Sequence, residues 1–206
     1  NEIWDSFGTL SARLPSALAS LFLMLMIGDT LFCWPQKSDR QFLTPIVASL
    51  AFALSPLIII WSRTAVSDAL LTGTLGISLL LFWRRMASEY NDQCISAWVF
   101  LSFAILVKGP VAVVLALLTI TSFLFCQKNW KTLLIKINLK KGFLITTLIS
   151  VPWYILELLK EGKPFWDNFF GYHNFQRYTS VVNNHAEPFW FFLYIMILAS
   201  LPFTPF

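Results

Sequence analysis

With 206 residues, of which 57% are hydrophobic and 13% charged, the chain is far more apolar than a soluble domain, which runs at about 45–50% apolar and about 25% charged. Twenty Phe and nine Trp within a 17% aromatic share exceed what the core of one small water-soluble domain can hide. Disorder is excluded and a soluble globule disfavoured, and the formal charge of +4 needs an account that suits a membrane.

Each crossing of a bilayer takes about 20 mostly apolar residues. In chain order, apolar runs lie at about 14–34, 42–61, 69–83, 95–107, 111–126, 143–159 and 189–206, each bounded by charges, Pro or Gly. The pattern predicts an all-α, polytopic transmembrane bundle of about seven spans, one membrane domain over 1–206 with no separate soluble domain. Runs 69–83 and 95–107 are short for a crossing. Either their flanking turns extend them or the pair is a re-entrant hairpin, which leaves five spans as the alternative count. Residue 1 is Asn, no leader pattern precedes the first run, and 201–206 fall inside an apolar run. The sequence therefore reads as an internal piece of a longer polytopic protein.

Seven spans send alternate connections to opposite sides. One side collects nine Lys and Arg against four acids, including Arg84, Arg85 and the cluster Lys128–Lys141, and the other collects six against seven. The positive-inside rule sets the first side toward the cytoplasm. There the Lys cluster meets anionic headgroups, which explains the basic pI without any nucleic-acid partner. Trp34, Trp83, Trp98 and Trp130 mark that boundary, and Trp4, Trp61, Trp166 and Trp190 the opposite one. Cys33, Cys94 and Cys126 show no disulfide or metal spacing. No internal repeat, Walker sequence or Gly-x-Ser-x-Gly elbow is present.

Three polar clusters interrupt the apolar pattern: Ser62–Asp68, Val107–Pro110 and Gly171–Tyr178. All three emerge on the non-cytoplasmic face, the strongest pointer in the residues to a site there. Lys108 stands between apolar runs with no acidic neighbour in sequence, and a charged Lys at mid-bilayer costs about 2.5–3.5 kcal/mol on insertion scales. With Gly109 and Pro110 breaking the helix, it can sit at a mouth where an anion rests. Its plain alternative is a Lys snorkelling to the headgroups. Arg63 and Asp68 either pair to fix a turn or serve a lipid phosphate and a cation or sugar hydroxyl. Arg13, just before Pro15, reads as an interfacial anchor.

The longest outward connection, 160–188, is predicted to be a partly helical functional loop. It carries His173, His185, Tyr172, Tyr178, Arg177 and Glu187. If that stretch is helical, His173 and Arg177 at i, i+4 share a face and present an imidazole and a guanidinium to one anion. A packing role for His173 is the alternative. His185-Ala186-Glu187 does not specify a metal site.

The segments Arg13-Leu14-Pro15-Ser16-Ala17-Leu18, Ser62-Arg63-Thr64-Ala65 with Asp68, Val107-Lys108-Gly109-Pro110, Pro152-Trp153-Tyr154 and Phe169–Arg177 resemble, in the same order, those of the bacterial lipid A aminoarabinose transferases. These belong to the protein O-mannosyltransferase-like branch of the GT-C glycosyltransferases. The resemblance covers essentially the whole chain, with the last motif the most specific. It implies a GT-C bundle and an enzyme in a bacterial inner membrane. A sugar moves from a polyprenyl-phosphate carrier to a lipid A, glycan or protein acceptor on the periplasmic or exterior face, and no nucleotide is used. It also implies catalytic roles for Asp68, Lys108, His173 and Arg177, and substrate contacts for Arg63, Tyr172, Lys108 and Arg177. Lys108 and Arg177 would stabilise the phosphate charge that grows as the glycosyl bond breaks. His173 would bond that phosphate or help hold a divalent metal ion.

The resemblance departs at one point. Family members carry acids in a first outward loop, and this chain begins downstream of it, so the piece alone is expected to be inactive. A secondary transporter for an anionic solute is the rival from another class, and it would set its charges near mid-membrane on broken helices.

Overall fold

The computed structural model describes residues 2–34, 40–87, 93–128, 130–167, 169, 190–199 and 201. Among them it is helical throughout: α1 Glu2–Cys33, α2 Leu43–Leu54, α3 Pro56–Ser62, α4 Ser67–Ala87, α5 Gln93–Lys108, α6 Pro110–Phe125, α7 Trp130–Ile137, α8 Leu139–Glu161, α9 Lys163–Trp166 and α10 Phe191–Ala199. Two stretches, Gly8–Cys33 and Trp130–Glu161, are long and apolar enough to cross a membrane, and α2 with α3 makes a third if that bent pair is one span.

Several elements differ from the expected runs, for local reasons. The first helix starts at Glu2 and passes through Pro15; at 1.5 Å per residue its 32 residues reach about 48 Å, well beyond a hydrocarbon layer of about 30 Å. The run 42–61 is two helices meeting at 65°. Pro56 supplies no N–H and drives Ser55 to extended backbone (φ −60°, ψ 126°). Between Ser67 and Ala87 the helix has 21 residues, about 31 Å and long enough to span unaided. Trp130–Ile137, read as part of a basic connection, is a helix that joins α8 through Asn138 in the left-handed conformation (φ 52°, ψ 62°).

The core forms around α4, which packs against α1 and α5 and reaches α6 and α7. Phe82, fully buried, is its largest enclosed side chain. Small hydroxyls stitch neighbouring helices together: Ser78 Oγ donates to the Ala97 carbonyl at 2.8 Å and Ser150 Oγ to that of Ser102 at 3.2 Å. Outside the core, most large apolar side chains of α2, α6, α8 and α10 are exposed, faces suited to lipid or to further membrane helices.

One end of the bundle is heavily cross-linked. Arg84 on α4 donates to Asp29 at 2.6 Å and to Thr30 Oγ1 at 2.8 Å, both on α1. The rings of Trp34 and Trp83 lie 4.5 Å apart. Trp98, at the same end, packs edge-on to Phe82 at 5.0 Å and donates its indole N–H to the Ile137 carbonyl at 2.9 Å. Gly142 makes room for that indole, since a Cβ there would fall 1.9 Å from its ring. All three cysteines are free. Residues 62–68 and 108–110 lie at the other end.

Candidate functional site

Three helix ends build the candidate site at this second end of the bundle. Lys108 closes α5 and Asp68 sits in the first turn of α4. The Lys108 ammonium donates to Asp68 Oδ1, with the two side chains 29% and 33% exposed. Each charge also suits its own helix, the cation at the negative C-terminus of α5 and the anion at the positive N-terminus of α4. The compensation that Lys108 requires thus comes from 40 residues away in sequence. Asp68 thus pairs with Lys108 rather than fixing the turn with Arg63, and the turn is held otherwise. Thr64 Oγ1 donates to the carbonyls of Ile60 and Trp61, and Ser16 Oγ on α1 to that of Val66 at 3.3 Å.

Behind Lys108 the chain breaks at one residue. Gly109 has φ 61° and ψ −130°, a region closed to residues with a Cβ, and Pro110 opens α6 where a missing N–H costs nothing. The Ile105 carbonyl accepts two bonds at 2.6 Å each, from the Gly109 N–H and from the Tyr154 hydroxyl on α8. Phe169 lies over this break, such that a Cβ on Gly109 would come within 2.9 Å of its ring. The ring also meets Tyr154 at 5.6 Å and stacks on Phe165 at 5.4 Å. The first residue of the Phe169–Arg177 motif is therefore fastened beside Lys108.

Of the expected site residues, Asp68 and Lys108 come together, and Arg63 lies at the same end of the bundle, lining a separate cleft with Arg13. Tyr172, His173 and Arg177 lie outside the described residues, as do His185 and Glu187. Tyr154, Phe169 and Ser16 stand in the sequence motifs but carried no assigned role. Their signal was the motifs themselves, which place an aromatic two residues after Pro152 and a hydroxyl right after Pro15. Among the described residues no group of three His, Cys, Asp or Glu could hold a metal ion. With Asp68 taken up by Lys108, these residues alone do not fit a divalent cation.

The class of the fold follows from a solved relative. The crystal structure of ArnT from Cupriavidus metallidurans in the apo state superposes with a TM-score of 0.77 at 21% identity, over 94% of this chain and 34% of that one. The architecture is an all-α membrane fold of the GT-C type. In sequence, the chain is 26% identical over 189 residues to the undecaprenyl phosphate-alpha-4-amino-4-deoxy-L-arabinose arabinosyl transferase of Erwinia tasmaniensis, covering 90% of this chain and 33% of that protein. An uncharacterized protein of Aquifex aeolicus is 30% identical over 197 residues, covering 95% of this chain and 42% of that one. The resemblance first seen in five short motifs therefore extends over nearly the whole chain, which spans about a third of the length of the transferases it matches. No family model matches. The transporter alternative receives no support from these relatives.

Proposed function

We propose that this chain is the phosphate-handling part of an integral membrane glycosyltransferase. The enzyme moves a sugar from a polyprenyl-phosphate donor to a cell-envelope acceptor, whether lipid A, another glycan or a protein. Its transfer site faces the periplasm or exterior of a bacterial inner membrane. One observation carries the reading: Lys108 and Asp68, brought together from two helices, meet at a glycine break over which the first residue of the outward motif is packed. The excess of Lys and Arg at the opposite end supports the orientation.

In this reading the donor phosphate approaches Lys108 and competes with Asp68 for its ammonium. Charge on the phosphate grows as the glycosyl–oxygen bond lengthens, so Lys108 stabilises the departing phosphate more than the bound donor. Asp68, once released, is a carboxylate that can orient an acceptor hydroxyl or the sugar. Arg177 and Tyr172 are proposed to hold the same phosphate, and His173 to bond it or to help hold a divalent ion. Arg63 is the further substrate contact.

The test uses the intact protein in liposomes with an undecaprenyl-phosphate-linked sugar. Lys108→Ala and Arg177→Ala are each expected to lower transfer by about a hundredfold or more, the scale seen when a group that meets developing charge is removed. Transfer at the unmodified rate by both variants would remove these roles. Uptake of an anionic solute without any polyprenyl donor, dependent on Lys108, would favour a transporter.

A further inference from the structure

The outward end holds a second basic feature that the Lys108 site does not use. Arg13 on α1 and Arg63 on the turn before α4 line one cleft of about 370 Å³, with Ser62 beside them and Leu14 and Ala17 along the α1 wall. Neither Lys108 nor Asp68 lines it. Both arginines are exposed, and among the described residues neither forms an ion pair. The acid closest to Arg63 in the described sequence, Asp68, is engaged by Lys108. Among the described residues, the pairing at the helix break thus leaves two like charges on one cleft with no ion-pair partner.

We infer that this cleft is a second anion subsite, which takes the phosphate of a membrane amphiphile independently of Lys108. Two guanidiniums offer planar forks that match phosphate oxygens, and an arriving phosphate removes their mutual repulsion. Their scaffold is fixed in advance. The Arg63 turn is tied to α1 by Ser16, only 2% exposed, whose hydroxyl bonds Val66 at 3.3 Å. Thr64 closes the turn with its bonds to Ile60 and Trp61. Leu14 and Ala17 follow Arg13 along α1 within the membrane-spanning stretch Gly8–Cys33. A ligand with a charged head and an apolar stem fits that gradient better than free phosphate.

A lipid-borne phosphate can come from the polyprenyl carrier or from a phosphorylated membrane lipid serving as acceptor. Which of them occupies the cleft rests on the transferase reading, whereas binding itself does not. The experiment is therefore equilibrium binding without any sugar transfer. The intact protein in phosphatidylcholine nanodiscs is titrated with undecaprenyl phosphate in one arm and dioleoyl phosphatidic acid in the other. Inorganic phosphate is the head-only control. Arg13→Gln/Arg63→Gln is expected to weaken one of the two lipids by about tenfold or more, while Arg84→Gln, at the opposite end of the bundle, leaves both affinities unchanged. Arg13→Lys/Arg63→Lys, which keeps the charge and loses the forks, is expected to fall between. Loss confined to undecaprenyl phosphate assigns the cleft to the carrier, and loss confined to phosphatidic acid assigns it to a phosphorylated lipid. Unchanged binding of both lipids by the double Gln variant overturns the subsite. So does a triple variant, Arg13→Gln/Arg63→Gln with Lys108→Gln, that binds that lipid no more weakly than Lys108→Gln alone, which would merge the two features. Failure of sugar transfer with binding intact would count against the transferase reading only.

Discussion

At each end of the bundle a basic side chain meets an acid from a neighbouring helix, but the settings differ. Arg84 is 13% exposed, and its two bonds to α1 are backed by Trp98, Cys94 and Arg85 reaching backbone carbonyls close by. Here the ion pair is one tie among many. The Lys108–Asp68 pair stands beside a glycine break, with both partners partly open to the surface. Its neighbours fix the backbone, through Tyr154 and Phe169, and leave the charges reachable. Redundant contacts make the first end a frame; a single contact at a break makes the second a place where a ligand can enter.

The sharpest way to break this contrast is to remove the cation at each end. Lys108→Gln is expected to lower sugar transfer about a hundredfold, while Arg84→Gln should leave the rate within about threefold and lower the melting temperature in detergent, because an acid and a hydroxyl lose their partner. Equal losses of transfer would dissolve the distinction. Exchanging the charges at the glycine break, Lys108→Asp with Asp68→Lys, restores an ion pair without restoring the site. Thermal stability is expected to recover to within about 1 kcal/mol of the original, with transfer still low. Recovery of both would reduce the pair to a structural tie.

Backbone and packing changes follow in size. Gly109→Ala forces a Cβ into a glycine-only conformation against Phe169 and is expected to cost about 1–3 kcal/mol, with transfer falling alongside stability. Gly142→Ala, which pushes on the Trp98 ring at the frame end, costs a similar amount, about 1–3 kcal/mol, and should lower stability while the folded fraction keeps its rate. The smallest effect is that of Ser16→Ala. Losing the bond to Val66 is worth about 1 kcal/mol, read as a small drop in melting temperature.

Those contrasts also show what the sequence could disclose. Gly109 and Pro110 mark their break openly, because one residue permits positive φ and the other cannot continue a helix from its N–H side. The Asp68 partner of Lys108 was not legible, since pairing across 40 residues depends on how α4 and α5 are rotated against each other. Ser55-Pro56 was in view yet sat inside an unbroken apolar run, and averaging hydropathy over a span conceals a bend. The start of α1 was hidden for the opposite reason: its first turns mix charged and apolar residues, with no continuous apolar run, and are helical all the same. The Lys residues of Trp130–Ile137 signalled a basic connection, while the spacing of Leu133, Leu134 and Ile137 along one side carried the helix.

The bend at Ser55 has a bearing on how the chain is made. Its hydroxyl donates to the Ala199 carbonyl at 2.5 Å, across 144 positions. The ribosome delivers the bent pair long before that acceptor exists, and a lone hydroxyl in hydrocarbon is costly. The early helices therefore enter the membrane as an unfinished element. Arrival of α10 acts as a latch, supplying the acceptor that ties the bend to a segment made much later.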